Sequence, residues 1–310
     1  MSSGRLKLIN SCANRPELTI WQAPPDSVSG NLQGRGIIAN FTLVKRLCML
    51  KKVVAIVREA GALALKRDFT VESKGGFENL VTSADKEIQA FLADRLAEIL
   101  PGSGFLGEEN DLRICDREYV WIIDPIDGTA NFSRGIPEYA VSVALSRKGR
   151  IILGVVFNPS TGDLFTARAG KGARWGRKKI QVSDRVFEDG LLCTAMSLYR
   201  KEFAPVCNRI IMDAYARCND VRRFGGCALE LCYLAAGLCD LYFELRVQPW
   251  DCAAALLILH EAGGFASGLG GAPLSWQNGP MLVAGANSAQ NLATLNTIIG
   301  KHLKKLPYNE

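Results

Sequence analysis

Histidine is nearly absent from this chain. His260 and His302 are the two in 310 residues. One falls late in a helical run and the other near the C-terminus. Both are expected to be structural or at the surface, so imidazole-based catalysis has almost nothing to work with. The ten cysteines are scattered and none forms a CxxC pair. That argues against a zinc site or a disulfide framework, and for reduced thiols within apolar helices. No segment approaches the ~20 apolar residues of a membrane span. The N-terminus lacks the apolar core of a signal peptide. Basic stripes are missing too: the net charge is +6, and six cations against Glu17 and Asp26 place +4 of it before Met49. The expectation is a soluble, cytoplasmic protein with neither nucleic acid nor membrane as a partner.

What is present is apolar surface. With 48% hydrophobic residues, the chain can build one large α/β domain or two lobes with substantial cores. Residues 1–40 are rich in turn formers (Pro16, Pro24, Pro25, Gly30, Gly34 and Gly36) and lack a sustained period. They are expected to be a disordered or dispensable extension. The body is then 41–310. Apolar residues from Thr42 to Lys66 recur at helical spacing. A loop at Lys74 to Gly76 and the run Asn79 to Thr82 lead into a helix from Ser83 to Leu100. Thr82 or Ser83 caps that helix, Asp85 lies in its first turn, and Pro101 and Gly102 end it. Ala140–Ser146, Ile151–Phe157 and Asp163–Ala167, separated by turns, read as an antiparallel meander, and 171–182 as a further hairpin. A G-x-G at Gly170 and Gly172 has no helix after it and is not a nucleotide loop. The lobe from 41 to 185 is thus α+β. From 186 to 310, strands alternate with helices at 201–217, 225–238 and 250–262, which argues an α/β lobe.

The stretch Trp121 to Pro137, WIIDPIDGTANFSRGIP, organises the rest. Its apolar run is that of a buried strand, expected to stop at Asp124, with Asp124 and Asp127 on a turn containing Pro125 and Gly128. A carboxylate at a buried strand end is costly unless something positive pairs with it. No Lys or Arg lies in the turn. A hard divalent cation is the natural partner, since Mg²⁺ takes carboxylate and carbonyl oxygens. The N–H groups of Gly128 and Thr129 would stand beside it, as in phosphate-holding turns. Glu108, after a short strand, and Asp251, at the start of the helix WDCAAALLILHEAGG, complete four carboxylate stations. Without histidine the set suits Mg²⁺ or Mn²⁺ rather than zinc. Two such ions ~4 Å apart could share Asp124 and activate a water.

These blocks resemble the inositol monophosphatase family: GEE at 107–109, WIIDPIDGTANF at 121–132, WDCAAALLILHEAGG at 250–264, and NLVTSAD at 79–85 with Lys74 upstream. They occur in the family's order and the likeness spans roughly 44–300. The resemblance implies a layered αβαβα sandwich of the inositol monophosphatase and fructose-1,6-bisphosphatase type, a homodimer, and Mg²⁺-dependent hydrolysis of a small phosphorylated metabolite. It implies two or three ions per site and sensitivity to lithium. By position, Glu108, Asp124 and the Ile126 carbonyl would hold the activating ion. Asp124, Asp127 and Asp251 would hold a second, with Glu108 helping a weaker third. Thr129, supported by Asp85, would orient the attacking water. Gly128 and Thr129 would hold the phosphate, and Glu244 a substrate hydroxyl. Gly225, Gly226 and Cys227 stand beside the substrate, where many members read Gly, Ser or Thr, and Ala. Asn79 stands where several have Asp. A plainer reading of Glu244 is a solvated strand end, and of Lys74 an exposed loop lysine.

Two rivals are weighed. A haloacid-dehalogenase-type phosphatase needs a DxDGT turn, one residue shorter than Asp124 to Asp127 here, and would leave Glu108 idle. A non-catalytic scaffold would be marked by a lost metal ligand, and none is lost. Within the family, inositol phosphates compete with fructose 1,6-bisphosphate, 3′-phosphoadenosine phosphates and histidinol phosphate. The wording of 124–132 and of 242–251 is that of the inositol branch. Arg222 and Arg223 are the candidates for holding a second phosphate.

Overall fold

The computed structural model describes residues 35–66, 69–73, 80–109, 112–196 and 200–303. Helix α1 (Arg35–Leu65) begins seven residues before Thr42, because extending a nucleated helix is cheap. The first 34 residues of the expected extension, like Lys74, Gly75, Gly76 and Asn79, lie outside the described residues. Strands β1 (Val71–Ser73) and β2 (Leu80–Thr82) pair antiparallel and lead into helix α2 (Ser83–Ile99). The expected cap is realised as a reciprocal box: the Asp85 N–H donates to Thr82 Oγ1 at 3.3 Å and the Thr82 N–H to Asp85 Oδ2 at 2.7 Å.

The large sheet contains β3 (Gly104–Gly107), β4 (Arg113–Ile114), β5 (Tyr119–Asp127), β6 (Ala140–Arg147), β7 (Arg150–Phe157), β8 (Leu164–Arg168), β9 (Ala173–Trp175) and β10 (Lys178–Ile180). Its order is β10-β9-β8-β7-β6-β5-β3-β4, a meander with β3 parallel to β5 at one end. The β5 run is apolar throughout because both its faces are covered. Trp121 and Ile123 pack towards α1 and α2, whereas Val120 and Ile122 pack towards the opposite layer.

The second sheet holds β11 (Leu191–Thr194), β12 (Asp220–Arg222), β13 (Leu241–Val247), β14 (Phe265–Ser267) and β15 (Met281–Ala286), in the order β12-β11-β13-β15-β14. β11 lies parallel to β12 and β13, and β15 antiparallel to β13 and β14. The helix expected over 201–217 is a 3₁₀ turn followed by α4 (Ala204–Tyr215), since Pro205 favours a helix start there. The helix expected to reach Leu238 is the shorter α5 (Cys227–Ala235).

α5 and α6 (Pro249–Glu261) pack between the two sheets. α4 and α7 (Ala289–Leu303) cover the far face of the second, and α1 and α2 the far face of the first. The architecture is therefore αβαβα, with one apolar core at each outer interface and one around the central helices. α6 is buried from Pro249 to Leu259, the expected fate of a helix apolar on all sides. Its last residue, Glu261, accepts hydrogen bonds from the N–H groups of Gly170, Lys171 and Gly172 at 2.7–2.9 Å. The G-x-G turn is thus an anion nest filled by the chain's own carboxylate.

The eight described cysteines are free, and all but Cys115 are buried. His260 is exposed, and His302 Nε2 lies 2.8 Å from Asp213. Among the described residues no helix is long and apolar enough to cross a membrane.

Candidate active site

The strand expected to stop at Asp124 continues to Asp127. Between Asp124, opposite Ser142, and Asp127, opposite Ala140, two residues of β5 face one of β6. Pro125 and Ile126 form this bulge, where a residue without an N–H is tolerated. Asp124 Oδ1 accepts the Ile126 N–H at 3.0 Å and so ties the bulge down. The chain turns only at Gly128, whose φ of +90° suits glycine. A Cβ there would stand 3.0 Å from the Glu138 carbonyl. The short helix α3 (Thr129–Arg134) follows, and Asn131 Nδ2 reaches the carbonyls of Glu138 and Phe224, at 2.8 and 2.7 Å. That side chain pins the 224–226 loop of the second lobe over the β5 turn.

Asp127 is held from the other side. Its carboxylate accepts the N–H of Cys227 at 3.2 Å and of Ala228 at 2.8 Å, the first turn of α5. Burial still pushes it up to about 7, against the lowering effect of those bonds and with Glu244 and Glu108 adding repulsion. Asp124 is 1% exposed, and its carboxyl is driven well above the usual range by burial and then by Glu108, Asp127, Asp251 and Asp85. Asp251, in the first turn of α6, accepts the Gln248 N–H at 2.9 Å. It is raised well above the usual range by burial, Glu108 and Asp127. Glu108 follows β3, half-buried, and bears on all three aspartates.

Thr129 Oγ1 lies 3.0 Å from the Ile126 carbonyl and 3.4 Å from Asp85 Oδ1, so its single proton is shared between two acceptors. Asp85 is almost fully buried and fixed by its cap bonds. Glu244 is not a solvated strand end. It is 8% exposed on β13, accepts the Tyr242 hydroxyl at 2.9 Å, and is pushed by burial up to about 7, with Arg223 opposing. The Gly225 N–H donates to Glu230 at 2.9 Å, beside that of Phe224 at 2.7 Å.

Among the described residues, no group of three His, Cys, Asp or Glu side chains is placed as it stands to hold a metal ion. The donor set nonetheless fits a hard cation. Asp124, Asp127 and Asp251 are buried, repel one another, and among the described residues have no ion pair. That is the environment a divalent ion with oxygen ligands relieves. A separate cavity of about 340 Å³ is lined by Leu106, Arg113, Cys115, Trp250, Trp276 and Gln277 among others, and by none of these acids.

Residues 45–303 match the family model of the inositol monophosphatase family. The chain belongs to that family. It is 35% identical over 242 residues to the Nus factor SuhB of Vibrio cholerae, covering 76% of this chain and 91% of that one. It is 37% identical over 244 residues to an inositol-1-monophosphatase of Rhizobium meliloti, covering 74% and 89%. Among solved structures, the extragenic suppressor protein suhB of Bartonella henselae superposes with a TM-score of 0.75 at 31% identity, covering 82% of this chain and 99% of that one. Membership gives a phosphatase lineage. Its relatives carry two kinds of name, so the lineage alone leaves the ester open.

Sequence reasoning missed three residues around this inositol monophosphatase-family site: Gln89, Asn131 and Glu230. Gln89 stands one helical turn after Asp85, and Glu230 one turn after Gly226. That spacing was the available signal. Asn131 lies inside the quoted GTANF block without a role assigned to it.

Proposed function

We propose that the chain is a Mg²⁺-dependent phosphomonoesterase of a small sugar or polyol phosphate, myo-inositol 1-phosphate foremost, using an activated water. The observation that carries this is the buried, mutually repelling set Asp124, Asp127 and Asp251 beside Glu108, facing the Gly128 turn. Glu108, Asp124, the Ile126 carbonyl, Asp127 and Asp251 would hold the ions. When bound, Mg²⁺ (or Mn²⁺) supplies positive charge that acidifies a water and offsets the charge of the phosphoryl oxygens. The chain's own contribution is positioning. Thr129, its proton directed to Asp85 and the Ile126 carbonyl, leaves its hydroxyl oxygen to accept a hydrogen bond from a water and so orient it. The N–H groups of Gly128 and Thr129 lead a helix start, where intrahelical acceptors are missing and phosphate oxygens are welcome. Glu244, at the second lobe's edge, accepts a polyol hydroxyl.

The test is phosphate release from myo-inositol 1-phosphate, fructose 1,6-bisphosphate, 3′-phosphoadenosine 5′-phosphate and histidinol phosphate, each with and without Mg²⁺. A Mg²⁺-dependent preference for the inositol ester is expected. Preference for another ester keeps the mechanism and replaces the substrate. Silence throughout, with metal bound, shifts the reading to an ester outside the panel or to a non-catalytic scaffold. A homodimer in the cytoplasm goes with this reading, and sedimentation of the purified chain checks the oligomeric state.

A further inference from the structure

Gln89 has no place in the chemistry above, yet it is 3% exposed and points at the acidic cluster's supporting loop. Its amide makes two bonds to the backbone of Glu109. Nε2 donates to the Glu109 carbonyl at 2.6 Å, and Oε1 accepts the Glu109 N–H at 2.9 Å. This two-point clasp holds both backbone polar groups of Glu109, the N–H belonging to the peptide bond that joins it to Glu108. The neighbouring residue is shaped for it: a Cβ on Gly107 would stand 2.4 Å from Gln89 Oε1. Gly107 therefore leaves the space the amide occupies. Gln89 also follows Asp85 by four residues on the same face of α2. One helix turn thus carries both the acid that touches Thr129 and the amide that holds the Glu108 loop.

We propose that Gln89 is a positioning residue for the cation site, acting through the Glu109 backbone to fix where the Glu108 carboxylate stands. The proposal rests on the metal-dependent reading above. The argument is geometric. Glu108 leaves the end of β3 on an irregular segment, where a loop side chain by itself tolerates large excursions. Supporting groups of this kind commonly change metal affinity ~10–100-fold when removed. An amide suits the task because it donates and accepts together, as a peptide unit requires, and an apolar side chain of the same length does neither.

The experiment uses the full chain with Mn²⁺ as the probe, free ion being counted by electron paramagnetic resonance, alongside Mg²⁺ half-saturation of phosphate release. Gln89→Met is expected to weaken Mn²⁺ uptake by ~10-fold and to raise the Mg²⁺ half-saturation by a similar factor. Substrate KM at saturating Mg²⁺ should stay within ~2-fold, since uniform substrate binding is untouched. Gly107→Ala, which displaces the Gln89 amide without removing it, should reproduce that split and decides the matter if Gln89→Met fails to fold. Wild-type Mn²⁺ affinity in the folded variants overturns the proposal. So does a loss confined to KM. A wild-type chain that takes up no Mn²⁺ removes the metal reading itself, and the clasp's role with it.

Discussion

The acids at the β5 bulge and the acids beneath the 224–226 loop are equally buried but differently satisfied. At the bulge, every one of the leading influences on Asp124 raises its carboxyl, burial first and then four other carboxylates. Beneath the loop, Glu230 accepts two backbone N–H groups and Glu244 the Tyr242 hydroxyl, and they rise only to about 8 and about 7. The second group is largely answered by the protein itself. The first is left for something the protein must recruit. Asp127 stands between them, held by the α5 N–H groups on one side and repelled by Glu108 on the other. Burial therefore does not by itself mark a metal ligand; what distinguishes one here is burial among other carboxylates, whose repulsion its own backbone hydrogen bond does not offset.

The sharpest way to break this comparison is Asp124→Asn. The amide oxygen can still accept the Ile126 N–H, so the bulge survives, while a carboxylate that would hold the ions is gone. Turnover with Mg²⁺ should fall by ~10²–10³ or more, the scale of losing a central electrostatic partner. The melting temperature in EDTA at pH 8 should rise above wild type, because a repelled buried charge has been removed. Retained turnover would end the bridging role, and a lower melting temperature would show that Asp124 is not repelled. On the other side, Glu244→Gln should spare kcat and raise KM for the inositol ester by ~10-fold, since a hydrogen bond to a charged group contributes ~1.5–3 kcal/mol. Steady-state rates at saturating Mg²⁺ decide it, and an unchanged KM removes Glu244 from the substrate's path.

Much of this arrangement was legible in the residues, and the gaps have physical causes. The strand–Asp–Pro–Ile–Asp–Gly block, the capped start of α2 and the all-round apolar α6 are local signals, and they sit where their periods and caps place them. The bulge was misread as the strand's end because a Pro-containing run looks like a break, whereas Asp124 bonding to the Ile126 N–H carries the strand on. Glu244 also read as a solvated end because its neighbour across the sheet, Val283 of β15, is distant in sequence. Gln89 and Glu230 bond to backbone groups of loops, and their helical spacing, though it puts them near the site, does not name such partners. The short strand β14 lacks the length to show alternation.

Glu230 sharpens the comparison through pH. Its folded carboxyl keeps its proton up to about 8, against an unfolded value of 4.5, because burial outweighs the two N–H bonds and its Oε2 has no partner among the described residues. The folded state therefore binds more protons between those values. Stability falls as pH rises from about 4.5 to about 8, by at most ~1.4 kcal/mol per pH unit for this one group, and is level above. Glu230→Gln cannot ionise, so its stability relative to wild type should improve between pH 5 and pH 8.5. Urea midpoints at those two pH values, in EDTA, measure the difference. A constant offset between variant and wild type would mean that Glu230 is ionised throughout.

The smallest effect is expected at Cys227, whose thiol is pushed well up by burial, so it is neither a thiolate nor a nucleophile. What it gives the site is its backbone N–H, which Asp127 accepts and which any residue but proline supplies. Cys227→Ala should leave turnover and Mg²⁺ half-saturation within ~2-fold, with ~1 kcal/mol lost from packing. A tenfold fall in rate would show that the side chain itself touches substrate, and would place specificity on this residue rather than on Glu244. If the rate holds, the second lobe grips Asp127 through the α5 backbone alone, and substrate choice is left to Glu244 and the Arg223 that bears on it.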